Sequence, residues 1–137
     1  MTGMPGTSGT TSLAIVVTHF PETAALLKLL GQLNKETDFI VIDNGTPNIQ
    51  ELIESIRVYE RCTELRQLKE NLGLARALNI GIEEARSLGC DYVFLFDQDS
   101  SLCDKFVSRM ISACHDALRL SANGIEAVGP RIINPQT

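Results

Sequence analysis

The chain lacks several things that would place it at once. It has no tryptophan and only two tyrosines and five phenylalanines among 137 residues, too few for a stacking platform that grips single-stranded nucleic acid. It has no basic excess: 12 Lys and Arg stand against 17 Asp and Glu, a net charge of −5. Binding along a phosphate backbone needs clustered cations, so nucleic acid is not an expected partner. Long apolar runs are missing too. The longest is Leu13 to Val17, far short of the about 20 residues that a membrane-spanning helix requires. The four cysteines, Cys62, Cys90, Cys103 and Cys114, form no C-x-x-C pair and no zinc-like spacing, and read as reduced thiols. No G-x-G-x-x-G, G-x-x-x-x-G-K-[ST] or G-x-S-x-G occurs, which disfavours a dinucleotide oxidoreductase, a P-loop NTPase and a serine hydrolase.

What is present is an alternation. Met1 to Ser12 is Gly, Thr, Ser and Pro without a positive charge or an apolar stretch, and is expected to be a disordered head rather than a secretory leader. Leu13 to Val17 reads as a strand buried on both faces. A helix opening at Pro21-Glu22 follows, with Leu26, Leu29, Leu30 and Leu33 in register. Phe39 to Ile42 is a second strand, stopped by Asp43-Asn-Gly45. A helix starting at Pro47 places Ile49, Leu52, Ile53 and Ile56 on one side. Thr63 to Leu68 is a weak third strand. Gly73 to Leu88 reads as a helix closed by Gly89 at C′, and Tyr92 to Phe96 as the strongest strand. Ser101 resembles an N-cap with Asp104 in a capping-box position, opening a helix with Val107, Met110, Ile111, Cys114 and Leu118. Ile125 to Val128 would be a last strand.

Such alternation implies an α/β fold: a Rossmann-like, mostly parallel sheet with helices on both faces. Ligands in these sheets bind beyond the carboxyl ends of the strands, where strand order reverses. Three of those ends are polar: Thr18-His19, Asp43-Asn44 and Asp97-Gln98-Asp99. Two carboxylates two residues apart repel each other unless a cation sits beside them. Mg²⁺, which takes one or two carboxylates plus phosphate oxygens and water, meets that need. The competing reading has one Asp capping the Ser101 helix and the other solvated, and a lone D-x-D is common by chance. Asp43 either accepts hydrogen bonds from a ribose or base or is a turn residue before Asn-Gly. His19, at a strand end, has a better claim to a site than His115, which lies mid-helix.

Together these residues resemble the N-terminal half of a family 2 glycosyltransferase, an inverting nucleotide-sugar enzyme of the GT-A fold. The matching segments are Ile15 to Thr18 with Pro21, Ile40 to Thr46, Glu70 to Gly81, Asp91 to Ser100 and Val128 to Pro130. The wording Phe-Asp-Gln-Asp-Ser, with Ala-Leu-Asn-Ile-Gly, is most similar to the rhamnosyltransferase branch, whose donor is dTDP-rhamnose. The resemblance implies that Thr18, His19, Asp43, Asn71, Gly73, Asn79 and Asp97 bind the donor. Asp99 and Asp97 would hold Mg²⁺ or Mn²⁺ at its diphosphate. It further implies a saccharide or lipid-linked acceptor, and a cytoplasmic location, peripheral at the inner membrane face in a longer parent. The sequence departs from the family pattern at His19-Phe20, where an aromatic followed by Asn or His is usual, and at Leu78, where many members carry Arg.

Residues 13–137 are therefore expected to form one nucleotide-sugar-binding domain, truncated on its C-terminal side. The general base of an inverting transfer would lie beyond Thr137, leaving no catalytic residue in this chain; Glu126, in a predicted core strand, is a poor candidate. An uncovered sheet edge would favour a homodimer without transferase activity of its own. A non-catalytic nucleotide-binding module is the main alternative. A haloacid-dehalogenase-like phosphatase fits less well, because its D-x-D follows the first strand and here the motif follows the fourth. A receiver-like domain would need a Lys at its last strand.

Overall fold

Four strands and four helices alternate along the chain in a computed structural model, which describes residues 11–124 and 127–131. The strands are β1 (Ser12–Thr18), β2 (Asp38–Asp43), β3 (Cys62–Gln67) and β4 (Tyr92–Asp97), all parallel, in the order β3-β2-β1-β4. The helices are α1 (Thr23–Leu33), α2 (Gln50–Ile56), α3 (Leu74–Ser87) and α4 (Phe106–Leu120). The chain divides into two units at Leu102/Cys103. The first holds the sheet with α1 to α3. The second holds α4, where Arg119 pairs with Asp116 and Leu120 is exposed.

β1 is central, and its continuous β-branched run meets apolar neighbours on both faces. Leu13, Ile15 and Val17 share one face with Ile40 and Ile42, and pack there with Ala77 and Ala85 of α3. Helix and strand touch closely at Gly81, where an added Cβ would fall 2.6 Å from an Ile15 methyl. Ala14, Val16, Phe39 and Val41 point the other way and are equally buried, as are the four α1 leucines, Leu26, Leu29, Leu30 and Leu33. β4 is different. Among the described residues it is an edge strand, and its residues Val93 and Leu95 stay 38% and 51% exposed.

Several boundaries differ from the sequence expectations for local reasons. β1 already includes Ser12, whose hydroxyl bonds to Thr37. α1 begins at Thr23 because the Glu22 carboxylate accepts from the amides of Ala24 and Ala25, making Glu22 the N-cap. α2 begins only at Gln50, since Asn48 takes a left-handed backbone just before it. The helix expected from Ser101 starts five residues later, at Phe106, so Ser101 and Asp104 form no capping box. The side-chain amide of Gln32 brackets the backbone of Leu102, accepting from its N–H at 3.1 Å and donating to its carbonyl at 2.8 Å. That holds Leu102 buried and out of a helix. The expected strand over Ile125 to Val128 falls in part outside the described residues, as does Glu126.

Candidate functional site

Strand order reverses at β1: β2 and β3 lie on one side of it and β4 on the other. A crevice of about 390 Å³ opens beyond the carboxyl ends of β1 and β4, where an open parallel sheet is expected to bind ligand. Its walls come from four places. Val17, Thr18 and His19 leave β1, and Asp97, Gln98 and Asp99 leave β4. Asn44 follows β2, and Asn71, Gly73 and Leu74 lead from β3 into α3. Asp97 and Asp99 are both exposed there.

The β2 exit is buried and fully bonded. Asp43 is 1% exposed; one carboxylate oxygen accepts from the Thr18 hydroxyl at 2.9 Å and the other from the Thr46 amide at 2.8 Å. Its neighbour Asn44 uses its side-chain oxygen to accept from the Leu72 amide at 2.8 Å, tying the β2 exit to the β3–α3 loop. The Asn44 carbonyl accepts from the His19 ring at 2.8 Å. A carbonyl cannot donate, so Nδ1 is the donor in this contact. Gly45 makes the tie possible. It takes φ of +80°, and a Cβ there would lie 2.6 Å from the Asn71 nitrogen.

At the start of α3 the Asn71 side chain accepts from the Gly73 amide at 2.8 Å. Gly73 is the N-cap and supplies no capping side chain, so the first-turn amides of α3 are left to solvent or to a ligand oxygen.

The family model for "Glycosyl transferase family 2" matches residues 15–120. The chain belongs to this family. Among curated glycosyltransferases it is 29% identical over 100 residues to "dTDP-rhamnosyl transferase RfbF" of Shigella flexneri, covering 71% of this chain and 32% of that protein. It is also 29% identical over 126 residues to "Galactofuranosyltransferase GlfT1" of Mycolicibacterium smegmatis, covering 88% of this chain and 39% of that protein. The chain thus spans about a third of the length of these relatives. A crystal structure of S. aureus TarS matches with a TM-score of 0.61 at 20% identity, over 80% of this chain and 20% of that one. That likeness agrees with the GT-A type of sheet.

Of the residues singled out from sequence, this family 2 domain brings Thr18, His19, Asn71, Gly73, Asp97 and Asp99 to the crevice. Asp43 lies directly behind it, buried, with both oxygens engaged. Asn79 stands exposed on α3 and is not among the residues lining the crevice; five positions past Leu74, it is more than a turn removed from the helix start. Asn44 and Gln98, which the sequence places at polar strand ends without marking them as ligand-binding, line the crevice too. Their work is done through bonds to distant backbone.

Proposed function

We propose that this chain is the donor-binding part of a glycosyltransferase that moves a sugar from a nucleoside diphosphate to a saccharide or lipid-linked acceptor with inversion. The observation that carries this reading is the convergence of Thr18, His19, Asn71, Gly73, Asp97 and Asp99 on one crevice at the switch point of the sheet. dTDP-rhamnose is the proposed donor, supported by the resemblance around Asp97 and by the relative whose name specifies that activity.

The residues present fit a divalent cation that arrives with its ligand. Among the described residues no group of three His, Cys, Asp or Glu can hold a metal alone. Two carboxylates of hard oxygen, Asp97 and Asp99, do share the crevice, and Mg²⁺ or Mn²⁺ bound by them would take its other ligands from phosphate and water. Bound there, the cation would neutralise charge on the departing nucleoside diphosphate. The chain's own residues bind and orient. The α3 amides favour a phosphate oxygen, and His19 and Asn71 line the walls against which the nucleoside would lie.

No helix among the described residues is long and apolar enough to cross a membrane. The four free cysteines support a reducing compartment, hence a cytoplasmic placement. Titration calorimetry with dTDP and with UDP, each with and without Mn²⁺, tests the reading. Metal-dependent heat with preference for dTDP is expected, and its absence at millimolar ligand, with the chain folded, overturns it.

A further inference from the structure

The parallel ladder between β1 and β4 ends at the pair Val17 and Asp97. Beyond that pair the backbones no longer bond, yet the two exits stay joined. The Gln98 side-chain oxygen accepts from the His19 amide at 2.8 Å, and its nitrogen donates to the His19 carbonyl at 3.2 Å. A primary amide carries the same donor and acceptor as a peptide group. Gln98 therefore continues the ladder with a side chain where the main chain has stopped.

The same turn is held from the β2 side by the ring of His19 on the Asn44 carbonyl and by the Phe20 amide on Thr46 Oγ1 at 2.9 Å. Phe20 has φ of +46°, an unfavourable backbone for an aromatic residue, so the turn needs external restraint. Restraint from β4 comes through Gln98, the residue between the two crevice aspartates.

We propose that Gln98 is a positioning residue: its amide, acting as a detached peptide group, sets the spacing between Thr18-His19 and Asp97/Asp99 and so the width of the crevice. Few side chains can do this. Glutamate offers two acceptors and no donor, and asparagine is one methylene short. The expected effect on ligand affinity rests on the donor-binding reading above; the effect on the His19 turn does not.

Two measurements on the full chain separate these. Amide hydrogen exchange at His19, followed by NMR, reports the tie itself, and calorimetry with dTDP and Mn²⁺ reports the crevice. In Gln98→Ala, exchange at His19 quickens on the order of tenfold while β1 residues 13–17 keep their protection, and dTDP affinity falls by a similar factor. In Gln98→Asn, which keeps the amide but is one methylene short of His19, exchange at His19 quickens as it does in Gln98→Ala. Unchanged exchange at His19 in Gln98→Ala overturns the proposal, as does faster exchange with unchanged dTDP affinity. Uniform loss of protection along β1 also overturns it, because the role would then be in the fold. If the wild-type chain binds no dTDP, the donor reading fails, and the His19 exchange in Gln98→Ala and Gln98→Asn decides for or against the tie.

Discussion

The hydroxyl of Thr18 donates to Asp43 at 2.9 Å across the last paired position of β1 and β2. Both residues are 1% exposed. Asp43 also holds the Thr46 amide, so its removal strands two buried donors at once.

Asp43→Ala is therefore expected to destabilise the chain by about 3 kcal/mol, a fall in Tm of roughly 10 °C. Asp43→Asn, which keeps one acceptor, is expected to cost about half as much. Calorimetric melting of the three proteins checks this. An Asp43→Ala protein that melts with wild type but fails to bind nucleotide would show a residue serving ligand alone.

Asp99→Ala is the opposite case. Its side chain is exposed past the end of β4, and nothing in the core depends on it. Tm should stay within about 1–2 °C of wild type, while Mn²⁺-dependent binding of dTDP disappears. A markedly lower Tm would reassign Asp99 to the architecture.

β4 pairs with β1 on one edge and, among the described residues, with no strand on the other. Val93 and Leu95 are exposed along it, a combination that invites association. Light scattering at high concentration should find a homo-oligomer, most simply a dimer, and Leu95→Lys should shift it toward monomer. A clean wild-type monomer at the same concentration counts against the expectation.

Burial pushes the Cys62 thiol up, with a smaller opposing effect from a backbone hydrogen bond with Glu64. Burial and then the charges of Asp38 and Asp91 push Cys90 up. A raised thiol holds its proton to higher pH and offers less thiolate near neutrality. Alkylation at pH 7.5, read by mass spectrometry, should modify the exposed Cys103 first and Cys62 and Cys90 later. Raising the pH should narrow the gap. Equal rates for Cys62 and Cys103 at pH 7.5 would contradict this.

The central strands were legible because β1 and β2 carry unbroken apolar runs, which only burial on both faces explains. β3 is faint in the sequence because none of its residues is fully buried, and Glu64 and Arg66 pair there in a salt bridge. The start of α4 differs from the sequence expectation because Gln32, 70 residues upstream, holds Leu102 out of a helix. Local capping chemistry at Ser101 contains no trace of that contact. The tying roles of Asn44 and Gln98 are hidden for the same reason. Each looks like a neighbour of an important acid, and its partners, Leu72 and His19, lie in other loops. Pattern and motif point to residues that line a crevice more readily than to residues that hold those residues apart.

Gly45 gives that distinction a physical scale. It sits behind the crevice wall, where its missing side chain lets the main chains of two loops touch near Glu70 and Asn71. A single methyl group at this point is a wedge whose thickness must be absorbed by the segment from Asn71 to Gly73. The calibre of the crevice is thus set partly from outside it, by the smallest residue in the chain, through a volume that a side chain would otherwise fill.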